Sequence, residues 1–170
     1  MQEVGHQSKI SMNTLFGDMA ANLATFDPQT EAINAARPHA DKIVELNRDD
    51  QMFEQGIKSD GSVIGTGDYA RLTKEKKAAE GQRYDHITLR DTQRFHASMK
   101  VKFNDKSFKI IADDKKINDL TGAPEYLTDI YGDEILGLTE ENIDFVNQKF
   151  ILPTLQQTLR HKLFANKNTF

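Results

Sequence analysis

The side chains most able to do chemistry in this chain are its five histidines, because the chain contains no cysteine. The absence of Cys excludes a thiolate nucleophile, an iron–sulfur cluster and a Cys-ligated zinc site. No two histidines are three or four residues apart, so the pattern lacks the His pair of a helical metal motif. They are His6, His39, His86, His96 and His161. A hydrolase using His86 or His96 with a carboxylate stays open as an alternative, and it would lose its activity in His96→Ala.

The glycine-rich segment GSVIGTG, at residues 61–67, lacks the features of a phosphate-binding loop. It has neither the GK[ST] ending of a P-loop nor GxGxxG spacing, and no buried strand is predicted before it. Carboxylate doublets such as Asp49-Asp50 and Asp113-Asp114 point in different directions on a helix or strand, so they do not form an acid–base pair by themselves. The sequence therefore predicts no catalytic residue, no cofactor and no metal site, and a protein that is not an enzyme.

Positive charge is concentrated in residues 71–83, RLTKEKKAAEGQR. The ordinary interpretation of such a run is a solvated helix face, and the functional one is a contact with nucleic acid or with an acidic protein surface. A small nucleic-acid-binding accessory protein therefore stays open as a further alternative. Its contact residues would be Lys74, Lys76, Lys77 and Arg83, together with Lys100, Lys102 and Lys109. Steeply salt-dependent DNA binding would favour it.

The 170 residues, 38% of them hydrophobic, predict a single domain with a modest core. A formal net charge of −4 argues against a general nucleic-acid binder and fits a surface that lets DNA slide past. We expect no signal peptide and no transmembrane helix, because the apolar runs are too short, and hence no contact with a membrane. Residues 1–10 predict a flexible arm and residues 165–170 a loose tail.

The first 56 residues have the patterns of successive helices. Apolar side chains recur at helical spacing over residues 12–26. Asp27 followed by Pro28 is a typical helix start, Pro38 opens a third helix, and Gly56 is a C-terminal cap.

Residues 57–86 differ from this helical part, since they hold four glycines and many charges. They predict a long extended loop that lacks the apolar density of a core element, with a short helix at residues 72–80. A loop of this length in a small domain is uncommon unless it is functional or a partner covers it.

The remaining chain predicts a small antiparallel sheet and a terminal helix. Apolar and basic side chains alternate on both sides of the turn NDKS, which predicts a hairpin at about residues 97–113. Ile87 and Leu89 suggest a short strand before it. Thr139 is a good N-cap for a helix that runs to the C-terminal end, with a kink or restart at Pro153. The predicted fold class is α+β: a helical N-terminal part, a small sheet built on the hairpin, the extended loop and a C-terminal helix.

The stretch LRDTQRFHASMKV, at residues 89–101, connects the extended loop to the hairpin. Asp91 or Thr92 can cap a short helical turn there, because their side chains accept from free backbone N–H groups. Phe95 and Met99 are four residues apart and can anchor that turn to the core. Arg94 and His96 are then expected to point outward.

Two segments, SDGSVIGTGDYARLTKEKK and LRDTQRFHASMKV, follow each other in an order that resembles the virion-morphogenesis, or tail-completion, proteins of tailed bacteriophages. In that family an sPDGxx(W/Y)xxLxxxTxxxK segment precedes LxDTGxLxxS, which leads into the sheet. The resemblance covers about residues 52–114. Tyr69 stands at the central apolar position of the first motif, and Ser98 at the Ser of the second. Gln93 replaces the Gly of DTG, where a glycine suits a positive φ or a close backbone approach, and Phe95 replaces a Leu.

The resemblance implies a structural protein of the phage particle. It implies a ring-shaped homo-oligomer in the neck or tail that joins the head portal to the tail, contacts the neighbouring portal, connector and tail proteins, and surrounds the DNA without recognising its sequence. The protein would be made in the host cytoplasm and end in the virion. Candidate interface residues are Arg71, Lys74, Lys76, Lys77, Arg83, Arg94 and His96.

Overall fold

The fold is α+β, as the sequence predicts, with helices before and after two small antiparallel sheets. The computed structural model describes residues 12–91, 93–118 and 121–164. The predicted N-terminal arm, residues 1–10, and the predicted tail, residues 165–170, lie outside these ranges.

Eight α-helices and four strands are present in the described chain. The helices are α1 (Met12–Ala24), α2 (Pro28–Ala36), α3 (Ala40–Glu45), α4 (Arg71–Ala79), α5 (Arg94–Ser98), α6 (Leu127–Tyr131), α7 (Glu140–Val146) and α8 (Leu152–Phe164). The strands are β1 (Lys100–Phe103), β2 (Phe108–Ile111), β3 (Lys115–Ile117) and β4 (Pro124–Tyr126). Short 3₁₀ turns are formed by Arg37–His39 and Asp133–Ile135, and π-helical segments by Leu46–Gln55 and Asn147–Ile151.

The predicted helix signals of the N-terminal part are confirmed. Asp27 caps α2 by accepting a hydrogen bond from the Gln29 amide, and Pro28 occupies the first helical position, where its missing N–H costs nothing. Gly56 ends the π-helical segment after α3 with φ +67°. A side chain at Gly56 is also excluded by space, because a Cβ there would lie 2.5 Å from the His86 ring.

The C-terminal helix begins where the sequence predicts, and its hydrogen-bond pattern changes near Pro153. Thr139 caps α7 by accepting from the Asn142 amide. The π-helical segment between α7 and α8 lies directly before Pro153, and the amide of Leu152 bonds the carbonyl of Asn147 there. A wider helical turn at this point accommodates a proline that has no N–H to donate.

The predicted hairpin is confirmed as β1 and β2, which pair antiparallel. Val101 lies opposite Ile110, and Phe103 opposite Phe108, so one face of the hairpin contributes to the core. Lys102 lies opposite Lys109 on the other, exposed face.

Two predictions for the flanking segments are wrong. Ile87 and Leu89 form no strand, because this segment is held by side-chain rather than ladder hydrogen bonds. Residues 113–116, whose sequence DDKK predicts the end of a strand and the start of a helix, begin no helix, since Lys115 and Lys116 belong to β3, which pairs antiparallel with β4. All three side chains of β3 are exposed, so the alternation that marks a half-buried strand is absent from its sequence.

The extended loop at residues 57–86 packs more tightly than its composition predicts. Ile64 is fully buried, and Ile57 bridges to Val63 in a short antiparallel contact. At Gly65 the backbone has φ +59° and approaches Tyr131 and the buried Ile87 closely. The first half of the loop is therefore anchored through Ile64, while most of its other side chains remain exposed.

Two neighbouring clusters form the core. The first joins the π-helical segment after α3, the extended loop and α5, and it contains Val44, Met52, Ile64, Ile87, Phe95, Met99 and Ile135. The second joins α2, α3, β2 and α7, and it contains Ala36, Ile43, Leu46, Ile110, Leu138 and Val146. Val101 and Leu136 pack against both clusters, so the two clusters form one continuous core.

Candidate interaction surface

A groove of about 800 Å³ lies between α4, the segment at residues 87–94 and strand β3. Its apolar lining consists of Tyr69, Leu72, Ile87, Leu89, Phe95, Ile117, Leu127 and Tyr131. Ile87 and Phe95 are buried members of the first core cluster, so they form the floor. The groove is therefore an opening in the surface directly above the core.

Two large apolar side chains of the groove are exposed to solvent. Leu72, on α4, is 79% exposed, the highest value among the exposed large hydrophobic residues of the described chain. Ile117, on β3, is 50% exposed. Exposed apolar groups next to an apolar groove are typical of a surface that a partner covers.

Cations surround this apolar lining. The groove includes six Lys or Arg residues and only two carboxylates: Lys76, Lys77, Arg90, Arg94, Lys115 and Lys116 against Glu80 and Asp91. Lys76, Lys115 and Lys116 take part in none of the ion pairs found among the described residues. The groove thus offers free positive charge beside apolar surface.

The two backbone outliers of the described chain also lie in this groove. Leu89 has φ +52° and Gln93 has φ +61°, and these are the only described non-glycine residues with positive φ. The left-handed conformation costs an L-residue about 1 kcal/mol or more. Such outliers concentrate where a function requires a particular backbone path. Gln93 replaces the Gly of the second motif, and it adopts the positive φ that a glycine there would favour.

The motif segments contact each other along the same wall. The hydroxyl of Tyr69, from the first segment, lies 3.2 Å from the Thr88 hydroxyl and accepts a hydrogen bond from the Thr88 amide at 2.9 Å. Thr88 directly precedes the second segment. Tyr69 therefore helps to fix the spacing between α4 and the turn that leads to α5.

Of the predicted interface residues, Lys76, Lys77 and Arg94 line the groove, and the others do not. Lys77 is only 6% exposed, which contradicts its prediction as a surface contact. Its ammonium donates to the Gln82 side chain and to the Arg90 carbonyl, and it lies over the Tyr69 ring. Lys77 thus ties α4 to the chain behind it.

Three other predicted cations are paired within the molecule. Arg71 contacts Glu75 on α4, Lys74 contacts Asp68, and Arg83 contacts both Glu54 and Asp85. Their neighbouring carboxylates neutralise the charge that the sequence run suggests. This leaves Lys76 as the exposed cation of the 71–83 segment that takes part in no ion pair between described residues.

Arg94 is exposed as predicted and joins the start of α5 to the end of β2. Its guanidinium donates to Asp113, whose pKa it holds below the usual value. The Asp113 amide donates in turn to the Ser98 hydroxyl at 2.8 Å.

The cap of α5 predicted from Asp91 or Thr92 is not the one observed. Gln93 occupies the N-cap position of α5 without a side-chain hydrogen bond, and Thr92 lies outside the described residues.

His96 points inward, which corrects the prediction that it faces outward. It is 6% exposed, and its Nε2 donates to the Thr88 carbonyl at 3.0 Å. Burial lowers the pKa of His96 to about 4, so the ring is neutral near pH 7. A buried, neutral side chain bonded to the backbone cannot contact a partner directly.

His86, the other histidine of the hydrolase alternative, is also held by a hydrogen bond to the backbone. Its Nε2 donates to the Phe53 carbonyl at 2.9 Å, and its Nδ1 lies 3.3 Å from Asp85. Since carbonyl oxygens only accept, Nε2 of both histidines carries a proton and serves a backbone contact. Among the described residues, no group of three or more His, Cys, Asp and Glu side chains is placed to hold a metal ion.

Three lysines of the first hairpin form a separate basic surface. Lys100, Lys102 and Lys109 are exposed, and they take part in no ion pair between described residues. Lys102 and Lys109 are direct cross-strand neighbours. Like charges in that arrangement repel each other, so this face would gain stability from a bound anion.

Sequence reasoning missed Leu72, Lys115, Lys116 and Ile117 as groove residues. In the sequence, the signal is the polar run DDKKIND, which lacks the apolar residues of a core strand. In the structure, all three side chains of β3 are exposed. The groove that β3 and α4 line together shows that this segment faces α4. None of the helices in the described part of the chain has both the length and the apolar composition needed to cross a bilayer.

Comparisons of the chain with protein-family models, with curated proteins and with solved structures found no match. The groove is therefore interpreted from its own geometry and chemistry.

Proposed function

We propose that this protein is a structural component of a tailed-phage particle. It forms part of the ring in the neck or tail that joins the head portal to the tail, and DNA passes through the ring without being recognised. In this role the protein assembles with copies of itself and with its neighbours, and it performs no catalysis.

The observation that carries the proposal is the groove beside α4. Leu72 and Ile117 leave apolar surface exposed there, while the strained Leu89 and Gln93 shape the wall. An assembly protein needs such a surface, because apolar area left open in the monomer is buried only when a subunit docks. The groove lies within residues 52–114 apart from β3 and α6, so the resemblance and the geometry concern the same part of the chain.

The arrangement of the two motifs supports the same proposal. The Tyr69–Thr88 contact brings the two motif segments together, and Gln93 retains the backbone conformation that the motif's glycine favours. A net charge of −4 also suits a channel past which a polyanion moves without adhering.

The test is the mass of the full chain by light scattering across a concentration series, with negative-stain imaging of the same samples. The proposal predicts closed rings of one size, or a concentration-dependent shift toward a large closed oligomer. Tagged protein should also be found at the junction of head and tail in particles that incorporate it. Failure to appear at that junction, together with a monomer at every concentration, would contradict the proposal.

A second candidate function rests on the hairpin lysines. The repulsion between Lys102 and Lys109 would be relieved by phosphate groups, which favours a small nucleic-acid-binding accessory protein. The matched test is DNA binding by the isolated chain at several salt concentrations. Steep salt dependence that disappears in Lys102→Glu/Lys109→Glu would favour this candidate over the ring.

A further inference from the structure

Charge is strongly segregated along this chain. Between Lys116 and Lys149 the sequence has eight acidic residues and neither lysine nor arginine. The groove, with six cations and two carboxylates among its lining residues, carries a net charge of +4. Since the whole chain carries −4, these two regions account for its entire charge imbalance. The groove therefore has an excess of cations, and residues 117–148 have an excess of carboxylates.

The acidic segment presents its charge at the surface of α7. Glu140, Glu141 and Asp144 are exposed there, and they take part in no ion pair between described residues. Ile143, 45% exposed, and Phe145, 37% exposed, flank these carboxylates. We call these five residues the acidic face. It joins apolar groups to uncompensated negative charge.

The groove and the acidic face are complementary in charge, and both expose apolar side chains. Lys76, Lys115 and Lys116 offer free cations where the acidic face offers free carboxylates. The groove exposes Leu72 and Ile117, and the acidic face exposes side chains of the same apolar kind. Phosphate groups would satisfy the cations of the groove and leave its apolar groups exposed. A protein surface that carries both kinds of group satisfies both.

We infer that the groove of one copy binds the acidic face of a second copy. The contact is heterologous, since two different surfaces meet, and each copy retains one free groove and one free acidic face. Repetition of such a contact gives a closed ring when the rotation between copies closes, and an open filament when it does not. The inference rests on the proposed function for its ring, and it assigns the surfaces that would form that ring.

The experiment uses charge reversal in the full chain. One variant carries Lys115→Glu/Lys116→Glu in the groove, another carries Glu140→Lys/Glu141→Lys on the acidic face, and a third combines all four changes. Lys102→Glu/Lys109→Glu on the first hairpin is the matched control, because it changes the net charge as much as the groove variant does. Light scattering gives the mass, and circular dichroism confirms that each variant retains its helices.

Each variant reversed on one surface should weaken self-association about tenfold or more. The groove variant loses the net positive charge that attracts the acidic face, and the α7 variant presents lysines to a basic groove. The combined variant should recover part of it, since new carboxylates at positions 115 and 116 of the groove then meet new lysines on α7. An equimolar mixture of the two singly reversed variants should associate more tightly than either variant alone, because the unchanged groove of one meets the unchanged acidic face of the other. If a double variant loses its helices, Lys116→Glu and Glu141→Lys replace it in the same design.

The inference is overturned if both singly reversed variants associate like the wild type, if the combined variant stays dissociated, or if the wild type never self-associates. It is equally overturned if the groove variant loses DNA binding while its mass behaviour is unchanged. Rings that persist in both variants would leave the proposed function standing and reject this contact. Association through these surfaces that yields only open chains would support the contact and reject the ring.

Discussion

Gln93 combines backbone strain with a departure from the motif that this part of the sequence resembles. Its φ of +61° places it in the left-handed region, and its side chain makes no capping hydrogen bond to compensate for the cost. The strain therefore belongs to the path of the chain into α5. A glycine relieves the steric part of that strain and gains some entropy in the unfolded state, so the two effects oppose each other.

Gln93→Gly is predicted to raise the free energy of unfolding by up to about 1 kcal/mol, because relief of the left-handed strain outweighs the entropy cost. Urea unfolding of the two proteins measures the change. Gln93→Ala keeps a Cβ at the same φ, so it should leave the stability within about 0.5 kcal/mol of the wild type. Equal effects of the two substitutions would show that φ is not the cause.

His96 makes the folded protein sensitive to moderate acid. Its pKa is about 4 in the folded state, because burial disfavours the charged ring, against an ordinary value of 6.5. Above pH 6.5 both folded and unfolded chains keep this histidine neutral, so it causes no pH dependence. As the pH falls from 6.5 toward 4, only the unfolded chain binds the proton, and stability declines.

The predicted loss between pH 6.5 and pH 4 is up to about 3 kcal/mol from this residue, at about 1.4 kcal/mol per pKa unit. His96→Gln can donate to the Thr88 carbonyl without titrating, so its stability should change less over this range. His161→Gln, at an exposed position, is the control and should keep the wild-type pH profile. Urea midpoints at pH 7 and pH 4.5 give the comparison, and parallel profiles for wild type and His96→Gln would refute the assignment.

The roles of single polar residues could be predicted only in part from the sequence. Arg94 is exposed, as its charge suggests, whereas Lys77 and His96 are buried despite similar polarity. Their partners include the carbonyls of Arg90 and Thr88, and every residue type has a carbonyl. Sequence patterns record side-chain types, so a site satisfied by backbone atoms leaves no signal in them.

At the scale of elements, the π-helical segment Leu46–Gln55 holds the chain that leads to α7. The buried Gln51 donates to the Gly137 carbonyl and accepts from the Thr139 amide and the Asn142 side chain. Asn47, one helical turn earlier, donates to the carbonyls of Ile135 and Gly137. Two amide side chains thus join distant parts of the sequence inside the core.

Gln51→Leu is predicted to lower the free energy of unfolding by about 2–3 kcal/mol, because it leaves the partly buried Thr139 amide and the buried Asn142 side chain without their acceptor. Gln55→Leu makes the same chemical change at an exposed position of the same segment, so it should shift stability by no more than about 0.5 kcal/mol. Chemical unfolding measures both. Similar losses in the two variants would show that the helical segment, and not the buried network, responds to leucine.

Elements whose signals are local in the sequence could be predicted, whereas elements that depend on contact with another segment of the chain could not. The caps at Asp27 and Thr139 act on amides two and three residues away, so the sequence contains the whole interaction. Strand β3 has three exposed side chains, and its pairing with β4 depends on the turn between them. The burial of Ile64 likewise depends on the close passage of Gly65 over Tyr131, far away in sequence.

At the scale of the whole molecule, the groove lies directly above the core, but its exposed side chains stabilise the monomer much less than the buried ones do. Ile87 is a member of the first core cluster and forms the groove floor, so its apolar surface already stabilises the monomer. Leu72 lies in the groove with most of its side chain in solvent, so it contributes little to the monomer. A protein selected only to fold alone gains nothing from this exposed leucine. The proposed assembly gives it a partner.

Leu72→Ser should therefore separate association from folding. With 79% of the side chain exposed, the free energy of unfolding should change by no more than about 0.5 kcal/mol, most of it helix propensity. Self-association measured by light scattering should weaken, because the groove loses apolar contact area.

Two further substitutions decide how this result is interpreted. Leu152→Ser removes another exposed leucine, on α8 and outside both proposed surfaces, so its self-association should match the wild type. Ile87→Ala removes buried groove floor and should cost about 2–4 kcal/mol of stability. Equal association by Leu72→Ser and Leu152→Ser would mean that the groove is open surface without a partner among copies of this chain. Weaker association by Leu72→Ser alone would show that its exposed apolar surface is the part of the molecule that assembly buries.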